Sequence, residues 1–461
     1  MSTFARAVKQ DENLEPYDYS ILIIGSSGSG KSTLINTIVN ISLQSKITEL
    51  QVAIKCENYP IISPEFDDGV CERNDEHKGE SQTTYAHFYK ISGEITNYKT
   101  VLIVDTPGIT STGGIRDDDK NVNEIINAAK RVKQFNAIFF TEKYSDNRMT
   151  PAFNYNVRRI SNTIPSDFET SVFLIVNFAC DKNKELNSDW YQFPIQQRFF
   201  LNNSVFRCPI EQYQAKQEKA MKYQNKLKKS EKSLRAIFQN AFLMDAKQTT
   251  QYHELFAIHN NIMKEIAELI NHLENINSIR SGIENQEYIV ITKKSVETAY
   301  HNTICTTHLV VCHQNCHLSF KGVYGTQYFD NCACMNSEKL CRVCGCGSLQ
   351  HAHAHKKFVE EESTIEEILK EFSIDKNVFT SKEDVDKIIS VKQGEILKRL
   401  HEAEKKILKI NPRYILSKYF NEALIYIETE LESSNSQINE AELKSNYDVF
   451  KYLSSIFGNW K

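Results

Sequence analysis

From about residue 18 to about residue 210, short apolar runs alternate with helix-compatible stretches. The runs Ile21–Ile24, Val101–Val104 and Val172–Val176 have the length and composition of strands buried on both faces. Between the first two, Thr33–Ile41 reads as a helix, and residues 85–91 and 100–104 read as two strands in succession. Strands alternating with helices in this way predict a doubly wound α/β domain with a mostly parallel sheet.

Beyond it the pattern changes. Residues 211–297 read as a helical segment, in which Leu255, Ile258, Ile262, Ile266, Leu269 and Leu273 recur at spacings of three and four as one apolar stripe. Residues 298–357 form a Cys/His-rich module, and residues 358–461 read as helical again. That last region opens on a capping-box pattern, Ser363 to Glu366, and is interrupted only by Pro412. The first 17 residues read as a flexible lead-in without an apolar signal core.

The most specific chemistry follows the first strand. Gly25, Ser26, Ser27, Gly28, Ser29, Gly30, Lys31, Ser32 and Thr33 spell a phosphate-binding loop running into a helix. Its backbone N–H groups would cradle phosphates, Lys31 would reach the β- and γ-phosphates, and the Ser32 hydroxyl would hold Mg2+. The run from Val101 ends in Asp105-Thr106-Pro107-Gly108. Asp105 is placed to hold Mg2+ through water, and the Gly108 N–H to meet a γ-phosphate. Between these segments, Gly79–Thr84 offers a second hydroxyl for Mg2+: Thr83, with Thr84 as the alternative. Lys31 and Thr83 are the candidate catalytic groups. A magnesium Thr ahead of two successive strands suggests the regulatory GTPase arrangement, in which those strands run antiparallel.

With these motifs in place, the chain resembles the septin-related, GIMAP-type immunity-associated GTPases over roughly residues 20–205. The residues that carry the resemblance are the loop from Gly25 to Thr33, the Gly-Glu-Ser-Gln-Thr segment ending at Thr83, Asp105–Ile109, and Phe200-Leu201-Asn202-Asn203. The resemblance implies GTP rather than ATP, Asn202 and Asn203 near the guanine, and a nucleotide-dependent homodimer across the nucleotide face. The fourth GTPase motif departs from pattern. After the strand ending at Val176 come Asn177-Phe178-Ala179-Cys180-Asp181, in which Asp181 can serve as the base-binding carboxylate but the usual Lys is absent. Ile109 stands where small GTPases carry a water-orienting Gln, which predicts slow hydrolysis unless a partner supplies a group. Arg148 is a candidate for such a trans-acting cation.

Of the 12 cysteines, Cys56, Cys71, Cys180 and Cys208 are scattered, and the other eight lie between Cys305 and Cys346. Their spacing, Cys305, Cys312, Cys316, Cys332, Cys334, Cys341, Cys344 and Cys346, followed by His351 and His353, is that of a structural zinc module. Cys341 to Cys344 with Gly345 after it has the form of a zinc knuckle. Eight cysteines could fill two all-thiolate sites, while His313, His317, His351 and His353 make mixed sites equally acceptable, so the pairing stays open. The expectation is two zinc ions that contribute much of the module's folding energy. The order of Cys/His pairs after a GIMAP-like domain is similar to that of a little-characterised group of eukaryotic G-domain proteins.

Net charge of −4 with 25% charged residues describes a chain without an overall drive toward nucleic acid or anionic membrane. A basic run, Lys216, Lys219, Lys222, Lys226, Lys228, Lys229, Lys232 and Arg235, could face either, and a solvated helix face is the simpler reading. No stretch approaches the roughly 18 apolar residues of a membrane span. Clustered cysteines without a secretory signal predict a reducing, cytoplasmic setting. These readings converge on a GTP-binding switch, with GTP and GDP as ligands and a protein partner at the zinc module or the C-terminal helices. The alternatives are a non-hydrolysing nucleotide-binding adaptor and a P-loop ATPase.

Overall fold

The computed structural model describes residues 3–9, 12–54, 59–62, 86–108, 115–145, 150–179, 193–255, 289–305, 310–318, 331–337, 339–348, 351–364 and 382–432, with isolated positions besides. The chain divides into two compact units, residues 1–255 with 410–461, and residues 256–409.

The first unit is built on a seven-stranded sheet. Its strands are β1 (Phe4–Val8), β2 (Tyr19–Gly25), β3 (His87–Ser92), β4 (Val101–Asp105), β6 (Ala137–Lys143), β7 (Val172–Asn177) and β8 (Gln197–Phe200), in the order β1-β3-β4-β2-β6-β7-β8. The two-residue strands β5 (Gln134–Phe135) and β9 (Lys247–Gln248) pair separately. Strands β4, β2, β6, β7 and β8 are parallel. β3 runs antiparallel to β4, joined to it through a tight turn at Glu94–Thr96, as the two successive apolar runs predict.

Period and burial explain these elements. The β2 side chains from Ser20 to Ile24 are fully buried, as they must be in a parallel strand covered on both faces. On one face Ile21 and Ile23 meet Leu34, Ile35 and Ile38 of helix α1 (Lys31–Ser42), together with later helical residues Leu234, Ile237 and Phe238. At about 1.5–3 kcal/mol for each large apolar side chain buried, this layer is a principal source of the domain's stability. The remaining helices before residue 250 are α2 (Ile115–Arg131), α3 (Pro151–Thr163), α4 (Ile210–Ala215) and α5 (Gln217–Ala241). α5 buries Leu227, Leu234, Ile237 and Phe238 and exposes Lys222, Lys228, Lys229 and Lys232, so much of the basic run is the solvated side of a packed helix.

Two parts of this unit differ from the sequence reading. The lead-in is not simply flexible, because Phe4–Val8 adds an edge strand antiparallel to β3, from Phe4 opposite Ser92 to Val8 opposite Phe88. The C-terminal region is not one helical bundle either. Helix α6 (Lys382–Ile410) stops just before Pro412, and helix α7 (Leu416–Glu432) packs on α3 of the nucleotide domain. There Tyr426 stacks on Tyr155 at 5.0 Å and 6°, and Arg158 donates two 3.0 Å hydrogen bonds to Glu422. The Asn411 side chain donates to the Ser161 and Asn162 carbonyls, and Arg413 pairs with Glu169.

In the second unit, β10 (Ile289–Cys305) lies between β11 (Val310–His313) and β12 (His351–Thr364) in an antiparallel sheet. Strand therefore replaces helix at the end of the 211–297 segment and at the start of the C-terminal region. The capping box forms one residue later than the pattern suggests. Thr364 and Glu367 exchange it, the Glu367 N–H donating to Thr364 Oγ1 at 3.2 Å and the Thr364 N–H to Glu367 Oε2 at 2.9 Å. Of the apolar stripe, Ile266, Leu269 and Leu273 lie outside the described residues.

If α7 is an integral part of the first unit, Tyr426→Ala will cost about 3 kcal/mol, the usual price of emptying a buried aromatic site. Urea unfolding of the full chain measures it, and a loss below about 1 kcal/mol would contradict this packing.

Candidate functional site

The order of the sheet reverses at β2, whose neighbours β4 and β6 both come later in the chain and lie on opposite sides of it. Loops at the carboxyl ends of strands beside such a reversal open into a crevice. The residues from Ser26 to Gly30 run through that crevice from β2 into α1, whose first-turn N–H groups have no helical partner. Lys31 opens the helix, with Ser32 and Thr33 behind it in the first turn.

Lys31 is buried, and its Nζ donates to the Gly25 carbonyl at 3.1 Å and the Ser26 carbonyl at 3.0 Å. Burial lowers its pKa to about 8, against the opposing pull of Asp105 and Glu142. Asp105 ends β4 opposite Ile23 and is 1% exposed. Neither of its oxygens finds a hydrogen-bond partner of good geometry among the described residues. Burial raises its pKa to about 6, even with Lys31 and His87 favouring the charge. A buried carboxylate lacking such partners, near the Lys31 ammonium, fits a divalent cation. Ser32 and Asp105 are the described residues that would hold Mg2+.

Gly108 closes the crevice from the β4 side. A Cβ there would lie 2.5 Å from Ser27 Cα and 3.0 Å from Lys31 Nζ, so only glycine lets this segment approach the loop. The Asn121 side chain fixes it by donating to the Gly108 carbonyl at 2.7 Å. Thr83, Thr84, Ile109, Arg148 and Asp181 lie outside the described residues.

On the opposite side the structure joins the expected Asn202 and Asn203 to residues that the motifs did not assign. Asn177, at the end of β7, donates from Nδ2 to the Ser29 carbonyl at 2.9 Å and accepts from Asn203 Nδ2 at 2.8 Å. Asn203 is fully buried in this relay, while Asn202 turns its Oδ1 to the Ser204 hydroxyl at 2.5 Å. The Phe178 ring, next in the chain, lies against Gly30, where a Cβ would come within 2.9 Å of it. The Arg207 guanidinium sits 4.6 Å above that ring. Lys143, at the end of β6, places its Nζ 3.1 Å from the point a Cβ of Gly28 would occupy. Thr141 shares a 2.7 Å hydrogen bond with Ser29. An Asn at a strand end was the available signal for Asn177. Nothing local marks Lys143 or Arg207.

In the other unit the eight clustered cysteines are free thiols, seven of them buried and Cys344 half-buried. With His313 and His351, seven of them, all but Cys334, form three groups whose donor atoms lie within 4.8 Å of one another: Cys312, Cys341, Cys344 and His351; Cys305, Cys344 and Cys346; and His313, Cys316 and Cys332. Zinc–sulfur bonds of about 2.3 Å in a tetrahedron set sulfurs about 3.8 Å apart. Here Cys312 and Cys344 are 3.5 Å apart, and Cys316 and Cys332 are 3.8 Å apart. Cys334 lies 3.4 Å from Cys332.

The outer shell suits a metal as well. His351 Nδ1 is 2.7 Å from the Gly347 carbonyl, which fixes the tautomer and leaves Nε2 bare, 3.5 Å from Cys344 Sγ. The Val343 N–H donates to Cys341 Sγ at 3.4 Å inside the knuckle turn. A hydrogen bond from Cys334, with others from Thr303 and His313, lowers the Cys332 pKa to about 4. The donor set therefore fits zinc. His313, one of the histidines left open for mixed sites, joins it. His317 and His355 are exposed, His355 with its Nδ1 3.2 Å from the Thr298 carbonyl. The backbone of His353 pairs with Thr303 in the sheet, and its side chain lies outside the described residues.

Fold, loop and strand-end carboxylate together define the class of P-loop nucleotide-binding domains. Residues 20–177 match the family model of the 50S ribosome-binding GTPases, and this part of the chain has the fold of a P-loop GTPase domain. No curated protein sequence matches the chain. Among solved structures it is similar to a dimerisation-deficient mutant of Toc33 from Arabidopsis thaliana, at 13% identity and a TM-score of 0.24, covering 48% of this chain and 67% of that one. It is also similar to Toc33 from the same plant in complex with Mg2+ and GMPPNP, at 11% identity and a TM-score of 0.23, covering 48% and 67%. A third is Era in complex with MgGDPNP and a segment of 16S ribosomal RNA, at 12% identity and a TM-score of 0.25, covering 44% and 56%. Likenesses at this level say nothing about ligand or partner. Among the described residues no helix is long and apolar enough to cross a membrane.

The raised Asp105 pKa gives a signed expectation. The neutral carboxyl is favoured in the fold, so its stabilising contribution is complete below pH 3.8 and is lost as pH rises through about 6. Asp105→Asn should therefore raise the melting temperature of the nucleotide-free protein at pH 7.5 by a few degrees. The gain should close toward pH 4, and Mg2+-dependent nucleotide affinity should be lost. An unchanged melting temperature at pH 7.5 would contradict the assignment.

Proposed function

We propose that the chain is a GTP-dependent switch protein that hydrolyses Mg-GTP slowly and in a manner dependent on self-association, with a zinc-bound module used for protein interaction. The observation that carries this reading is the pair Lys31 and Asp105. It is two buried opposite charges at the foot of the phosphate loop, with Gly108 pressed against Ser27. Gly25 to Thr33 would bind the phosphates, Lys31 would neutralise charge developing on them, and Ser32, Asp105 and Thr83 would hold Mg2+. The ion, when bound, supplies positive charge to the β- and γ-phosphate oxygens. Because Gly108 already touches the loop, a γ-phosphate arriving there would reposition the segment that follows, giving a switch.

Guanine is the proposed base, with Asp181, Asn202 and Asn203 near it, supported by the GIMAP-type resemblance. The inward-turned Asn203 supports an indirect role for that residue, holding Asn177 against Ser29. Ile109 supports slow turnover and a group supplied by a second copy, hence the proposed homodimer. The cytoplasm is the proposed setting.

The purified full chain should carry guanine nucleotide, and phosphate release per molecule should rise with protein concentration. Retained GTP without release at any concentration would replace the switch enzyme with a non-hydrolysing adaptor. Adenine in the site would overturn the guanine assignment.

A further inference from the structure

Two of the three thiol groups are not independent. Cys344 belongs to both: its Sγ lies with Cys312, Cys341 and His351, and also with Cys305 and Cys346. Those six donors exceed the four that one zinc ion takes in a structural site. Leaving two out would keep Cys305 and Cys346, which are 0% and 3% exposed, off the metal although they lie against its ligand Cys344. A thiolate sulfur keeps lone pairs after binding one metal and can bind a second. The backbone fixes the arrangement: Cys305 faces His351 across the β10–β12 ladder, and the Cys341 N–H donates to the Cys346 carbonyl at 2.7 Å, folding the knuckle back on itself.

Charge points the same way. Five thiolates around one divalent ion would carry a net −3 in a buried site, whereas a second ion reduces that to −1. The third group stands apart. His313, Cys316 and Cys332 share no donor with the others, and Cys334, 3.4 Å from Cys332 and also interacting with Cys341, is the remaining thiol that would complete a four-ligand shell.

We propose that Cys344 is a bridging thiolate in a two-zinc centre. Cys312, Cys341 and His351 complete the shell of one ion, Cys305 and Cys346 reach the other, and His313, Cys316, Cys332 and Cys334 hold a third ion separately. The proposal rests on the zinc reading of the module and changes its expected stoichiometry from two ions to three.

The test uses the full chain. Protein purified without chelator should contain three equivalents of zinc by elemental analysis. After exchange with cadmium-113, its NMR spectrum should show two cadmium resonances split by mutual scalar coupling through the shared sulfur, and one unsplit. Cys316→Ser should remove one equivalent and leave the coupled pair, whereas Cys305→Ser should abolish the coupling. Two equivalents with uncoupled resonances would overturn the bridge and leave the zinc reading intact, making Cys305 and Cys346 hydrogen-bond donors to a mononuclear site. Absence of bound metal would overturn the zinc reading itself. The wild-type spectrum decides the bridge even if a variant fails to fold.

Discussion

Lys31 opens the helix that follows β2, Asp105 ends the adjacent parallel strand β4, and both are taken out of water. Ionising either group there is costly, and each is the nearby compensation for the other. The register that sets Ile23 opposite Asp105 is fixed by the all-apolar strands, because a slip of one residue would turn the carboxylate to the wrong face. The hydrophobic layer under α1 and α5 thus does more than stabilise the domain. It holds two charges at a spacing that phosphate and a divalent cation can relieve, which is why the site without ligand is electrostatically unfinished.

The far side of the loop solves a different problem. A lysine in the fourth motif is missing, and the chain fastens the loop without it. Asn203 holds Asn177, Asn177 holds the Ser29 carbonyl, and Phe178 lies under Arg207 against Gly30. Lys143 arrives from β6 beside Gly28. Positive charge near the loop is retained, but it comes from strand and loop ends that are distant in sequence. The amide relay is fully buried at Asn203 and Asn177, so it acts as a rigid brace.

The residues that were legible in the sequence are those whose signal is local. Apolar runs marked β2, β4 and β7 because parallel strands need continuous hydrophobicity, and the glycine and lysine spacing marked the loop because phosphate binding needs it. β1 was not legible: only Val8 of its five residues is buried, and its pairing with β3 spans some eighty residues of chain. β12 was hidden for another reason, since its His, Lys and Glu content reads as a polar helix or loop until β10 is laid beside it. The stacking of Tyr426 on Tyr155 is likewise non-local, and it moves α7 out of the C-terminal bundle that composition suggested. Spacing left His313 open among four histidines, and what selects it is the strand's alternation, which sends neighbouring side chains to opposite sides and so Cys312 and His313 to different donor groups.

That alternation also explains how the second unit is held together. A small sheet of three strands, one of them four residues long, has little apolar surface with which to fix its register. The cluster around Cys305, Cys312, Phe329 and Cys346 is mostly sulfur. Thiols that merely pack provide only a modest hydrophobic contribution, whereas thiolates on a metal tie Cys305 of β10, Cys312 of β11 and His351 of β12 at the same end of the sheet. A metal there would fix all three strands at once, including the irregular stretch where the β10–β12 register shifts between Glu297 and Asn302. The nucleotide domain obtains its order from an apolar core and leaves its charges for a ligand to satisfy. The Cys/His unit is arranged in the opposite sense, with buried donor atoms where an apolar core would be, so that a metal bound there would supply the core.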